Sequence, residues 1–67
     1  MAVSYLKLWH ILLDRNLKKK ELAQMANLSE YTMKRLSKNE NVTTETLGKI
    51  SKALDIPIED FVEFIDD

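Results

Sequence analysis

The chain has no cysteine, and only one histidine, one glycine and one proline among its 67 residues. Without thiols there is no disulfide framework and no thiolate metal site. His10 alone cannot assemble a metal centre. There is no nucleophile elbow, no glycine-rich phosphate loop and no acidic metal loop. No catalyst, cofactor or small-molecule substrate is therefore expected. No apolar run approaches the roughly 20 residues that span a bilayer. The start, Met1-Ala2-Val3-Ser4, has neither the basic segment nor the long apolar run of a signal peptide. A cytoplasmic protein with no membrane partner is expected.

Hydrophobic residues make up 45% of the chain and charged residues 31%, an ordinary balance for one compact domain over residues 1–67. A domain this small buries only about 60% of its unfolded surface, so its core is marginal unless well packed or shared. The net charge is −1, but it is unevenly spread. Residues 1–56 carry all ten Lys and Arg against six acids, a net +4, while residues 57–67 carry five acids and no base. A basic body with an acidic tail allows a basic working face.

The scarcity of Gly and Pro points to helices joined by short turns, and the periodicity predicts five. Tyr5, Leu8, Trp9 and Leu12 mark a first helix from Ser4, its N-cap, to about Arg15. Asn16 suits the left-handed position that ends it. A second helix runs from Lys18 to Ala26. Its three leading lysines oppose the positive end of the helix dipole, which an anion bound there would explain. Ser29 caps a third helix, Glu30 to Lys38. Thr43 or Thr44 caps a fourth, which runs to about Leu54. Gly48 inside it costs about 1 kcal/mol relative to Ala, and close packing against another helix is the expected reason. Pro57 separates a fifth, from Ile58 to about Ile65.

The second and third helices form the most informative stretch. Leu22, Ala26, Leu28, Met33 and Leu36 make an apolar skeleton, Ala23 is small where two helices cross, and Asn27 takes the turn. Outward-facing Glu30, Tyr31, Lys34, Arg35 and Lys38 are long, polar or aromatic, and mostly basic. The run Leu17, Leu22-Ala23, Asn27-Leu28-Ser29, Met33, Leu36, Asn39 and Leu47…Ile50…Ala53-Leu54 resembles the lambda-repressor/Cro-like helix–turn–helix domains, without gaps over about 38 residues.

The resemblance implies an all-α, compact five-helix fold with the motif at about residues 18–38. It implies binding of double-stranded DNA, with Glu30, Tyr31, Lys34 and Arg35 as base contacts. Glu30 suits a cytosine amino group, and Arg35 suits a guanine edge. Lys19, Lys20, Thr32, Lys38, Thr43 and Thr44 would hold the DNA backbone, which positions a protein without reading sequence. The family pattern also implies that Lys19 touches Glu30 while holding a phosphate. The chain departs from the pattern at several positions, among them Lys18-Lys19, where the family often has Ser or Thr then Gln. Asn27 and Asn39 stand where the family has glycine, Glu30 where it often has Gln or Arg, and Glu40-Asn41 where it has a basic turn.

Apolar residues at the chain ends exceed what a small core needs: Leu6, Ile11, Leu13, Phe61, Phe64 and Ile65. Such surplus marks a contact surface, and Phe61, Phe64 and Ile65 are expected to form a homodimer interface. The resulting expectation is a sequence-specific transcriptional regulator, a repressor-like dimer reading a palindrome with its third helix in the major groove. The alternative is a protein-interaction module on the same scaffold, favoured by the acidic tail, Glu30 and Glu40.

Overall fold

The computed structural model describes residues 2–66. The order is β1 (Ala2–Ser4), α1 (Leu6–Asp14), α2 (Lys19–Met25), α3 (Glu30–Ser37), α4 (Thr44–Leu54), a 3-10 turn (Ile58–Asp60) and β2 (Glu63–Ile65). The helices enclose one core. Leu8 and Leu12 come from α1, Leu22 from α2, Leu36 from α3, and Ile50 and Leu54 from α4. Tyr5, Ala26, Phe61 and Val62 complete it.

All four α-helices end by the same device. Asn16, Asn27, Asn39 and Asp55 adopt left-handed φ values of 57°, 55°, 56° and 57°. The next residue in each case donates its N–H to a carbonyl five residues back. The bonds are Leu17 to Leu12 (2.8 Å), Leu28 to Ala23 (2.8 Å), Glu40 to Arg35 (2.9 Å) and Ile56 to Ser51 (3.1 Å). This is the Schellman closure, which satisfies orphan carbonyls at a helix end. Asn and Asp tolerate the left-handed region better than other residues with a Cβ. Three of the four also place an apolar residue (Leu17, Leu28 or Ile56) against the core directly after the turn.

Two expectations about the chain ends are corrected. Among the described residues there are four α-helices, not five. Ile58–Asp60 is a single 3-10 turn, and Glu63–Ile65 is a strand paired antiparallel with Ala2–Ser4 in the register Ala2↔Ile65, Val3↔Phe64, Ser4↔Glu63. Phe61 to Ile65 is dominated by aromatic and β-branched residues, which favour strand. A helix of two turns also carries the full nucleation cost, whereas β1 offers a ready partner. Helix α1 correspondingly starts at Leu6. Ser4 is buried within β1 and its hydroxyl accepts a 3.3 Å bond from Leu6 N–H.

Gly48 does not mediate a close helix contact. It is exposed on α4, and a Cβ built there meets nothing within 4 Å.

Candidate nucleic-acid interface

Helix α3 is held at its start by Ser29, whose Oγ accepts from Thr32 N–H at 3.1 Å. Glu30 lies in its first turn, and Lys34 and Arg35 in its last. Both placements agree with the helix dipole. Leu36 is fully buried and Met33 half-buried against the core, so α3 is anchored along one side. The remaining faces border two open hollows. Nine of the ten residues expected at the DNA divide between them, and Thr44 lines neither.

The first hollow lies between α2 and α3, with a volume of about 570 Å³. Ala23, Leu28 and Met33 form its apolar floor. Lys19 and Lys20 rise from α2, and Glu30, Lys34, Ser37 and Lys38 from α3. Four lysines and one glutamate thus line the same hollow. At the start of α2, Glu21 Oε1 accepts from Lys18 N–H at 2.9 Å, which partly relieves the conflict between the lysines and the dipole.

The pairing of Lys19 with Glu30 is not formed. The Lys19 ammonium sits 4.3 Å from the centroid of the Trp9 ring and 3.4 Å from Ser37 Oγ. Ser37 is seven residues beyond Glu30, about 10 Å along the helix axis, so Lys19 engages the far end of α3. Trp9 is half-buried at the edge of the core and forms the seat for this cation.

The second hollow, about 320 Å³, lies between α3 and the start of α4 and is lined by Tyr31, Thr32, Arg35, Val42, Thr43 and neighbours. Its chief occupant is the Arg35 guanidinium. Arg35 Nε and Nη2 donate to Asn41 O at 3.0 and 2.7 Å, and Nη1 donates to Tyr31 Oη at 3.3 Å. Glu40 lies 3.5 Å from Nη1. All three guanidinium nitrogens are thus engaged, two of them by the Asn41 carbonyl in the turn between α3 and α4. Arg35 therefore ties that turn to α3 in the free protein. A guanine edge would compete with these bonds.

Thr32 Oγ1 accepts from Ser29 Oγ at 3.0 Å and so belongs to the cap of α3. Thr43 caps α4 by accepting from Thr46 N–H at 3.1 Å, and Thr44 is exposed as its first residue. Tyr31 is 68% exposed.

The expected dimer residues are also divided. Phe61 is fully buried and belongs to the core, so it is corrected out of the surface set. Phe61 directly follows the 3-10 turn, and its N–H donates to Ile58 O at 3.0 Å. Phe64 and Ile65 on β2 are exposed, as are Leu6 and Leu13 on α1.

Three participants escaped sequence reasoning. Ser37 follows Lys34 by three residues and Glu30 by seven, a helical spacing that could have placed it on the same stripe. The Asn41 carbonyl and the Trp9 face carry no local sequence signal for these roles. Among the described residues, no group of three or more His, Cys, Asp and Glu is placed to hold a metal ion. No described helix is long and apolar enough to cross a membrane.

Residues 7–67 match the family model of the Cro/C1-type HTH DNA-binding domain. The crystal structure of the transcriptional regulator VanUg, form II, superposes with a TM-score of 0.94 at 39% identity, covering 98% of this chain and 88% of that one. No curated protein matches.

Proposed function

The chain belongs to the Cro/C1-type helix–turn–helix DNA-binding family, and we propose that it is a sequence-specific transcriptional regulator that lays α3 in the major groove of double-stranded DNA. The observation that carries this reading is the lysine-rimmed hollow beside α3, with Glu30 and Lys34 on its exposed edge. Glu30 and Lys34 have no ion-pair partner among the described residues, so both are available to base edges. Glu30 accepts from a cytosine amino group and Lys34 donates to guanine. Tyr31 adds an apolar contact to a thymine methyl. Lys19, Lys20 and Lys38 meet backbone phosphates on one flank of α3, and Thr43 and Thr44 at the start of α4 on the other. Arg35 acts mainly by holding the turn before α4.

The regulator works as a repressor-like homodimer in the cytoplasm. Phe64 and Ile65 of β2 supply an apolar contact across a two-fold axis. Two copies of α3 then read half-sites about 34–36 Å apart on a palindrome.

The test is a randomised-duplex selection at two salt concentrations. The expected result is an enriched palindrome whose affinity falls linearly with log salt, with a slope near 0.9 per neutralised phosphate. If low salt enriches no sequence, the DNA-reading proposal is overturned and a protein-interaction module takes its place.

A further inference from the structure

We infer that Trp9, on a helix that does not belong to the DNA-reading motif, is a positioning residue for the phosphate contact made by Lys19. The inference rests on the DNA-binding reading above and adds a residue from α1 to it.

Lys19 spans three helices. It springs from α2, its ammonium lies over the Trp9 ring of α1 at 4.3 Å, and it donates to Ser37 Oγ of α3 at 3.4 Å. An ammonium has three donors and no acceptor. One is taken by Ser37, and the ring face screens a second side of the cation. The third donor has no partner among the described residues, and Lys20, Lys34 and Lys38 line the same hollow as Lys19.

A free lysine loses much of its rotamer freedom when it is fixed on a ligand. Lys19 is already confined in the unbound protein, so less of that cost remains at the moment of binding. The same ring face opposes repulsion from the neighbouring lysines. Without it, the ammonium would swing away from three like charges and out of register with a phosphate.

A merely structural role for Trp9 predicts something different. Trp9 is half-buried and packs against the core, so removing it lowers stability whatever Lys19 does. The charge contact is separable from that packing because it acts only through Lys19 and only on the salt-dependent part of binding.

The experiment is a double-mutant cycle on the intact chain, using Trp9→Leu, Trp9→Phe, Lys19→Met and the double variant Trp9→Leu/Lys19→Met. Each is measured against the duplex selected for the wild type, at several salt concentrations, with unfolding midpoints recorded in parallel. Trp9→Leu is expected to weaken binding about three- to tenfold at low salt, the range of a partly desolvated cation–π contact. It should also flatten the log–log salt dependence, toward the loss of about 0.9 expected for Lys19→Met. In the Lys19→Met background, Trp9→Leu should change neither affinity nor slope. Trp9→Phe, which keeps a ring face, should recover most of the wild-type slope.

The inference is overturned if Trp9→Leu weakens binding equally with and without Lys19, or leaves the salt slope intact. Should Trp9→Leu fail to fold, Trp9→Met, which keeps bulk without a ring face, gives the same comparison with and without Lys19→Met. Wild-type protein that binds no duplex at low salt would overturn the DNA-binding reading itself, an outcome distinct from a failed cycle.

Discussion

The backbone N–H of Tyr5 donates to the side-chain carbonyl of Asn39 at 3.0 Å, across 34 residues of sequence. The Tyr5 hydroxyl donates to the next carbonyl, Glu40 O, at 2.7 Å. Arg35 grips the same turn from the other side through Asn41 O. The connection between α3 and α4 is thus clamped both by Tyr5, the residue just before α1, and by the arginine of α3. This explains a departure from the family pattern. At Asn39 a glycine would satisfy the left-handed backbone, but it has no carbonyl to offer Tyr5.

The same substitution should therefore have different effects at two helix ends. Asn27→Gly relieves a left-handed residue whose side chain makes no recorded hydrogen bond, so stability should hold or rise by a few tenths of a kcal/mol. Asn39→Gly removes the acceptor of a part-buried N–H and should cost about 1–2 kcal/mol. Urea unfolding of both variants checks the contrast. Equal effects would mean that the Tyr5–Asn39 bond contributes nothing.

Tyr5 also gives the fold a pH limit. Burial raises the pKa of its hydroxyl, against smaller lowering effects from the backbone near Val42 and from the Arg35 charge. The folded state thus holds this proton more tightly than the unfolded chain, whose tyrosine titrates near 10. The contribution is complete below that pH and is lost as pH rises through the folded value. Denaturant unfolding from pH 8 to 11 should show a steeper decline for the wild type than for Tyr5→Phe. Parallel curves would remove Tyr5 as the cause.

Gly48 is an unused opportunity for stability. It lies inside α4, exposed, with open space where a Cβ would go. Gly48→Ala should stabilise by about 0.5–1 kcal/mol through helix propensity and a less flexible unfolded chain. A raised denaturation midpoint at unchanged m-value is the expected reading.

Lys34 and Arg35 should separate in a binding assay, although they are adjacent in sequence. Lys34→Ala should lose about 1–3 kcal/mol at one base position and relax specificity there. Arg35→Ala frees the turn before α4, so it should weaken binding to all sequences alike and cost about 1–2 kcal/mol of stability. Competition with single-base variants of the selected duplex tells the two patterns apart. A base-selective loss for Arg35→Ala would restore it to the readers.

Phe61 and Phe64 should separate in the same way. Phe61→Ala empties a core site and should cost about 3–5 kcal/mol, enough to unfold most of a domain this small. Phe64→Ala should leave the unfolding curve of the monomer nearly unchanged but shift the mass measured by sedimentation toward the monomer. An unshifted mass would remove Phe64 from the dimer contact.

The motif itself was legible because its constraints are local. The spacing of Leu22, Ala26, Leu28, Met33 and Leu36 fixes two helices and the angle between them, and Asn16, Asn27 and Asn39 mark three helix ends by side-chain type alone. The strands were not legible. Each has three residues, too few for a period to register, and each finds its partner at the opposite end of the chain. The division of the candidate site was hidden for a related reason. A helical wheel places Lys34 and Arg35 on one outward face. It cannot show that a carbonyl at Asn41 lies within reach of the guanidinium, or that an indole ten residues before Lys19 lies under its ammonium. Those are facts of tertiary packing, and residue type alone does not encode them.

The pairing of Ala2 with Ile65 sets the timetable of assembly. Helices α1, α2 and α3 meet in sequence order, and α4 then packs back on α2, before the last strand is needed. The sheet requires closure of almost the whole chain, which is slow and entropically costly relative to local contacts. Until the last strand is translated, β1 has no partner and Phe64 and Ile65 do not yet exist on any surface. A chain cut short by a premature stop would keep its helix–turn–helix sequence while lacking the strand that pairs with β1.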